Sequence, residues 1–174
     1  MADRSFLDWP FFEPRHRDWA REVAAFAARH AAALSDDDVA DGSVIALARA
    51  MGEAGLLRVP CPADGRLDVR ALCLARDILA QHSGLADFAF AMQGLGTGPV
   101  TLFGTEAQRA RILPAARAGT ALAAFALSEP EAGSDVAALA TTATPDGNAA
   151  WRLNGRKSWI SNGGIAGHYI VFAR

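Results

Sequence analysis

The sequence predicts an α+β chain, with an all-α N-terminal stretch over residues 1–119 and an antiparallel β region over residues 120–174. Three observations predict it. Composition changes near residue 120, from Ala, Leu and Arg at helical spacing to short runs of Thr, Trp, Ile, Val, Gly and Asn. The chain of 174 residues is 51% hydrophobic and 21% charged, which suffices for a buried core and is too weakly charged for disorder. Asn154-Gly155, between Trp151-Arg152-Leu153 and Arg156-Lys157-Ser158, reads as a hairpin turn because both turn residues would take positive φ.

The elements follow in order. From Pro14 to about Leu34, Trp19, Val23, Phe26, Ala27 and His30 recur at helical spacing, with Pro14 at the start. Ser35-Asp36-Asp37-Asp38 interrupts that helix as a solvated acidic turn. A second helix, about Ser43 to Ala54, carries Ile45, Leu47, Ala48 and Met51 and stops at Gly55, a left-handed terminator. Residues 56–67, with Pro60, Pro62 and Asp64-Gly65, read as a loop. Helices are then expected from about Asp68 to His82 and from about Leu85 to Leu95, the latter apolar all round. Gly94-Leu95-Gly96-Thr97-Gly98-Pro99 reads as a bend between helices, and Thr105 with Gln108 as a capping box opening a helix to about Ala118 with a break near Pro114. Strands are expected over about Leu122–Leu127, Ala137–Thr144 and His168–Ala173, with Pro145-Asp146-Gly147 as a turn. The hairpin register would set Leu153 opposite Arg156 and Ala150 opposite Trp159, leaving the last strand with an open edge, as if the chain were cut in mid-domain.

Charge and cysteine usage exclude several function classes. Seventeen basic residues against 19 acidic ones, with Lys157 the only lysine and no basic run, leave no footprint for nucleic acid. Cys61 and Cys73 match neither a disulfide framework nor a zinc spacing and read as idle thiols in a reducing compartment. No stretch approaches the ~20 apolar residues of a membrane span, so the expectation is a cytoplasmic chain with no membrane partner. His16, His30, His82 and His168 share no ligand spacing, and no metal is expected.

Several apparent motifs fail on spacing. The glycine run at 94–99 has Pro99 where a dinucleotide fingerprint needs its last glycine. Gly155-Arg156-Lys157-Ser158 places Arg156 between the glycine and the lysine of a Walker loop, and Ser134 lacks the glycine of a hydrolase elbow, having Val136 there.

Two stretches remain: Leu127-Ser128-Glu129-Pro130-Glu131-Ala132-Gly133-Ser134-Asp135 and Trp159-Ile160-Ser161-Asn162-Gly163-Gly164. Both closely resemble the acyl-CoA dehydrogenase family, and so do Phe103-Gly104-Thr105-Glu106-Ala107-Gln108 through Leu113-Pro114 and the order of the five helices. The resemblance spans nearly the whole chain from about Phe12 and makes the β region the first part of a truncated antiparallel β-barrel.

That resemblance implies FAD as cofactor, an acyl-CoA as substrate, electron-transferring flavoprotein as electron acceptor, and a homo-oligomer, a homotetramer in the full-length family. It implies cofactor-binding roles for Phe125, Leu127, Ser128, Gly133, Ser134, Trp159, Ile160 and Ser161. The chemistry suits those residue types. Charge builds at N1 and O2 of a reduced isoalloxazine, and a strand-end loop such as that at Ser128 offers a hydroxyl and backbone N–H donors, each charge-assisted bond contributing roughly 1.5–3 kcal/mol. Trp159 would pack beside the ring and Ser161 would donate to N5, with serine keeping the donor but not the methyl of the threonine common at this place. Gly133 allows close approach and Ser134 suits a phosphate oxygen near the path of the CoA ester. Substrate contacts are implied for Ser134 and for Asp87, Ala91 and Leu95, whose helix would line the acyl cavity. The resemblance gives Glu129 a loop-supporting role, and nothing in its setting suggests a raised pKa.

The family's reaction is α,β-dehydrogenation of an acyl thioester, with a glutamate taking the α-proton and a hydride passing to flavin N5. That glutamate lies beyond Arg174 in the family's order, so no catalytic residue is assigned and the chain alone is expected to be inactive. The alternatives are a stand-alone non-catalytic subunit that binds acyl-CoA or protein with a partner chain, and a flavin monooxygenase on the same fold.

Overall fold

The computed structural model describes residues 3–147 and 150–174. Five helices form its first part: α1 (Pro14–Phe26), α2 (Ala40–Glu53), α3 (Val69–Ala80), α4 (Gly84–Phe103) and α5 (Glu106–Arg117). Four short strands follow: β1 (Ala123–Ala126), β2 (Thr142–Pro145), β3 (Trp151–Asn154) and β4 (His168–Val171).

Helix starts match their local chemistry. Pro14 opens α1, and the Glu13 N–H donates to Nδ1 of the buried His16 at 3.0 Å. Asp68 and Ser83 cap α3 and α4 by accepting from the amides of Ala71 and Ala86, each at 3.1 Å. Thr105 and Gln108 form the expected reciprocal box at the start of α5. Gly55 terminates α2 at φ 72°. The core is built from Trp19, Val23 and Phe26 of α1, Leu47 and Met51 of α2, Leu74, Ile78 and Leu79 of α3, and Phe90 of α4. Trp19 also donates its indole N–H to the Ala71 carbonyl at 2.8 Å, so α1 and α3 are joined by a satisfied polar contact inside an apolar interface.

Four expectations about the helices are corrected. The first helix ends at Phe26 and continues as a π-helical turn over Ala27–Ala31, and the second starts at Ala40 rather than Ser43. The helix expected to end near Leu95 runs on to Phe103, and the glycine run lies inside it, not at a bend. A Cβ on Gly96 would fall 2.5 Å from Cβ of Ala123 and 3.0 Å from the Ala124 nitrogen, so the glycine is there because β1 crosses α4 at backbone contact. Likewise α5 continues past Pro114 to Arg117.

The β region differs more. β2 and β3 pair antiparallel with Ala143 opposite Leu153, so the expected Leu153–Arg156 and Ala150–Trp159 pairings do not form. Neither Asn154 nor Gly155 takes positive φ; the positive-φ glycine is Gly147 at φ 70°, in the β2–β3 turn, part of which (148–149) lies outside the described residues. Gly155 instead presses on Thr141, whose Oγ1 would stand 2.4 Å from an added Cβ. The strand expected over 137–144 is a 3-10 turn at Val136–Ala138 followed by β2. β4 has a partner on one side: it pairs in parallel with β1, Ala123 opposite His168, and beyond it Arg174 exchanges backbone hydrogen bonds with Thr141 and Ala143. Parallel pairing requires a long crossover, and residues 127–167 supply one. The described strands make two separate two-stranded sheets, not a closed or wholly antiparallel barrel.

The helical part and the sheets are tied through Gln93. Its buried amide donates to the carbonyls of Ala116 and Ala121 at 2.9 and 3.1 Å and accepts from the Ala123 N–H at 2.9 Å. One side chain of α4 thus satisfies the end of α5 and the first residue of β1.

Candidate functional site

β1 ends in a tight turn closed by reciprocal backbone bonds between Glu129 and Ala132 at 2.9 and 3.2 Å. This turns the chain sharply and drives the Glu129 side chain inward. Its carboxylate accepts from the amides of Ala140 and Thr141 at 2.6 and 2.9 Å and from the Lys157 ammonium at 2.8 Å. Those donors hold the Glu129 pKa down to about 2, the Ala140 amide first and Lys157 next, so the group is a fixed anion at neutral pH. Lys157 also donates to the Leu127 carbonyl at 2.9 Å, and the Ser158 N–H donates to the Ser128 carbonyl at 3.0 Å. Three bonds therefore bind the stretch at 127–129 to the stretch at 157–158.

The second stretch is anchored at its far end too. Asn162 is buried at φ 61°, a conformation Asn tolerates, and its side-chain amide donates to the Ala123 carbonyl at 3.0 Å. Between these anchors lie Trp159, Ile160 and Ser161. Trp159 sits at φ 60°, strained for a bulky residue by roughly 1–3 kcal/mol, and its side chain is 94% exposed. A strained backbone presenting an uncovered indole makes a wall with nothing yet against it. Ile160 and Ser161 are half-buried.

On the first stretch, Phe125, Leu127 and Ser128 are half-buried, and the Phe125 ring meets Phe172 at 4.8 Å between centroids. The Ser128 N–H has no acceptor among the described residues. Gly133 and Ser134 are exposed further along the loop, and an added Cβ on Gly133 would meet only open space. Asp135 accepts from the Ala137 amide at 3.2 Å, which sets the loop's return.

The α4 residues divide. Asp87 forms a two-point ion pair with Arg76 of α3, both contacts at 2.8 Å, so its carboxylate is engaged within the helical part. Ala91 is half-buried and Leu95 exposed, and they continue through Pro99 to the exposed Leu102 and Phe103. This apolar stripe is spaced at helical intervals, and its exposed members among the described residues are Leu95, Leu102 and Phe103.

Two residues outside the sequence-based assignment carry the local architecture: Lys157 and Asn162. The signal for Lys157 was its standing as the only lysine in the chain, placed two residues before Trp159. Asn162 gave none beyond its own residue type. Of the two cysteines expected to be idle, Cys61 is buried, with its pKa pushed up to about 11 by burial, and Cys73 is exposed. Among the described residues no cluster of His, Cys, Asp and Glu could hold a metal, and no helix is long and apolar enough to cross a membrane. A concavity of about 250 Å³ lies elsewhere, between Phe6, Phe11, Phe12 and α3.

Comparison with known proteins gives a consistent pattern. Residues 13–120 match the family model for the N-terminal domain of acyl-CoA dehydrogenase, and residues 124–174 match that for its middle domain. An acyl-CoA dehydrogenase of Bacillus subtilis (strain 168) is 35% identical over 161 residues, covering 90% of this chain and 41% of the relative. The mouse mitochondrial very long-chain specific acyl-CoA dehydrogenase is 44% identical over 100 residues, covering 56% of this chain and 15% of that protein. The chain thus spans less than half the length of either. The crystal structure of an acyl-CoA dehydrogenase from Bacillus anthracis complexed with FAD superposes with a TM-score of 0.79 at 32% identity, covering 94% of this chain and 29% of that one.

Proposed function

Because the chain belongs to the acyl-CoA dehydrogenase family, we propose that the face between residues 125–134 and 157–162 cradles the isoalloxazine of FAD and that α4 lines the path of an acyl-CoA. The observation that carries this reading is Trp159, an almost wholly exposed indole on a strained backbone beside an unpaired Ser128 N–H. Strain of that kind persists only where neighbours over-determine it, and here Asn162 and Lys157 do so from either side. The residues fit a flat ring: an aromatic wall, the Ser128 N–H and hydroxyl for the N1/O2 edge, and the Ser161 hydroxyl for N5.

Bound FAD would supply a two-electron acceptor for the β-hydride of an acyl thioester. This chain's residues would orient the ring, exclude water from the Trp159 face and present donors where negative charge develops. The exposed Gly133-Ser134 loop would meet the phosphate or thioester portion of CoA. The partly exposed stripe Ala91, Leu95, Pro99 would face the acyl chain, while Asp87, held by Arg76, would set the position of α4 rather than touch substrate.

The α-proton needs a base that is deprotonated beforehand and basic enough to take and hold it. Glu129 cannot serve, since a carboxylate held near pKa 2 by Lys157 and two amides is too weak a proton acceptor. We therefore place the base outside these 174 residues and expect no turnover from them alone. Electron-transferring flavoprotein as acceptor and a homo-oligomeric whole protein belong to the same reading; the exposed Trp151, Leu153, Leu102 and Phe103 are surfaces that such an assembly would cover.

The test mixes the purified chain with FAD, an acyl-CoA and an artificial electron acceptor. The expected result is flavin uptake without turnover. Sustained reduction of the acceptor would show that the chain contains its own base, and absence of flavin uptake would remove the cradle.

A further inference from the structure

Resting on the flavin reading above, we infer that Lys157 is a positioning residue: its ammonium fixes the Leu127–Ser128 peptide so that the Ser128 N–H faces the N1/O2 edge of the isoalloxazine. The ammonium lies 2.9 Å from the Leu127 carbonyl oxygen and 2.8 Å from Glu129 Oε1, and the side chain is 12% exposed. Glu129 is in turn fixed by the amides of Ala140 and Thr141, so Lys157 is held from behind by an immobile anion.

A trans peptide is planar, and its C=O and N–H point in opposite directions. Drawing the Leu127 carbonyl inward to Lys157 therefore turns the Ser128 N–H outward, where no described residue accepts from it. The next peptide is fixed as well, because the Ser128 carbonyl accepts from the Ser158 N–H at 3.0 Å. The lysine that aims the donor thus belongs to the segment that carries Trp159, so ring wall and ring donor are set by one residue. A donor aimed at the N1/O2 edge favours the reduced ring, on which negative charge collects, over the oxidised one.

The experiment compares the chain with Lys157→Met, which keeps the stem and removes the donor, and with Glu129→Gln, which removes the anion behind it. Oxidised and reduced FAD are titrated separately. Lys157→Met is expected to lose about tenfold in preference for reduced over oxidised FAD, a fall of about 30 mV in the two-electron midpoint. Equal weakening of both forms would show a merely structural lysine and overturn the inference. A second arm needs no flavin: hydrogen exchange at the Ser128 amide is expected to slow about fivefold in Lys157→Met as the freed N–H turns toward the protein. An unchanged rate in a folded variant would overturn it too. Failure of the unsubstituted chain to take up FAD would count against the flavin reading itself, with the exchange arm still judging the lysine. Should Lys157→Met not fold, Glu129→Gln is read in both arms; a shift of the same sign supports the inference and no shift in either arm defeats it.

Discussion

At the scale of single residues, Glu129 and Trp159 behave in opposite ways, and each can be tested alone. Glu129 is held ionised, with its pKa near 2 against an ordinary 4.5, so its partners stabilise the fold only while it is charged. That stability is fully present above about pH 4.5 and is lost as pH falls from there toward 2. Thermal unfolding followed between pH 6 and 2.5 is expected to show a steep acid loss that is shallower in Glu129→Gln. Parallel curves would show that the Lys157 pair contributes nothing. Trp159, by contrast, gives the fold little: with its indole in solvent, Trp159→Gly is expected to leave denaturant stability within about 1 kcal/mol, because relief of the positive φ offsets the added chain entropy. The same change is expected to abolish flavin binding. The Leu127–Asp135 and Trp159–Gly164 stretches stood out in the sequence through their resemblance to the acyl-CoA dehydrogenase family; the Lys157 contact did not, since it joins residues 28 apart in the chain.

At the scale of elements, the five helices were legible because capping chemistry and apolar spacing are local: Thr105 with Gln108, Asp68, Ser83 and Gly55 all act within a turn of their own helix. The errors came where a residue's reason lies across space. Gly96 looks like a bend residue along the chain, yet it is the seat on α4 for Ala123 of β1. Gly155 looks like a hairpin turn, yet it is excluded from bearing a side chain by Thr141. These contacts define the joint between helices and strands, and two substitutions probe it. Gly96→Val is expected to cost about 1–3 kcal/mol through overpacking against Ala123. Gln93→Leu should cost about 3 kcal/mol, because it leaves the Ala121 carbonyl and the Ala123 amide without partners, while the Ala116 carbonyl keeps only the Gly119 N–H. Urea unfolding measures both, and a loss below about 0.5 kcal/mol in Gln93→Leu would show that the joint is held otherwise.

At the scale of the whole molecule, the chain is a helical body with a partly exposed apolar stripe on α4 and short strands joined to it at Gln93 and Gly96. On the proposed reading, the exposed Trp159, Phe103, Trp151 and Leu102 would stand where a cofactor, an acyl chain or further protein lies. The parallel β1–β4 pairing could not be read from the sequence, since strand direction depends on the path of the 127–167 crossover and not on the composition of either strand. The central claim is that both stretches grip one flavin ring, and its most direct test is FAD titration of the chain and of Trp159→Phe, followed by tryptophan fluorescence and compared at equal flavin occupancy. The account predicts saturable quenching in the unsubstituted chain that largely disappears in Trp159→Phe. Quenching of equal depth in both, or no saturable binding at all, would contradict it.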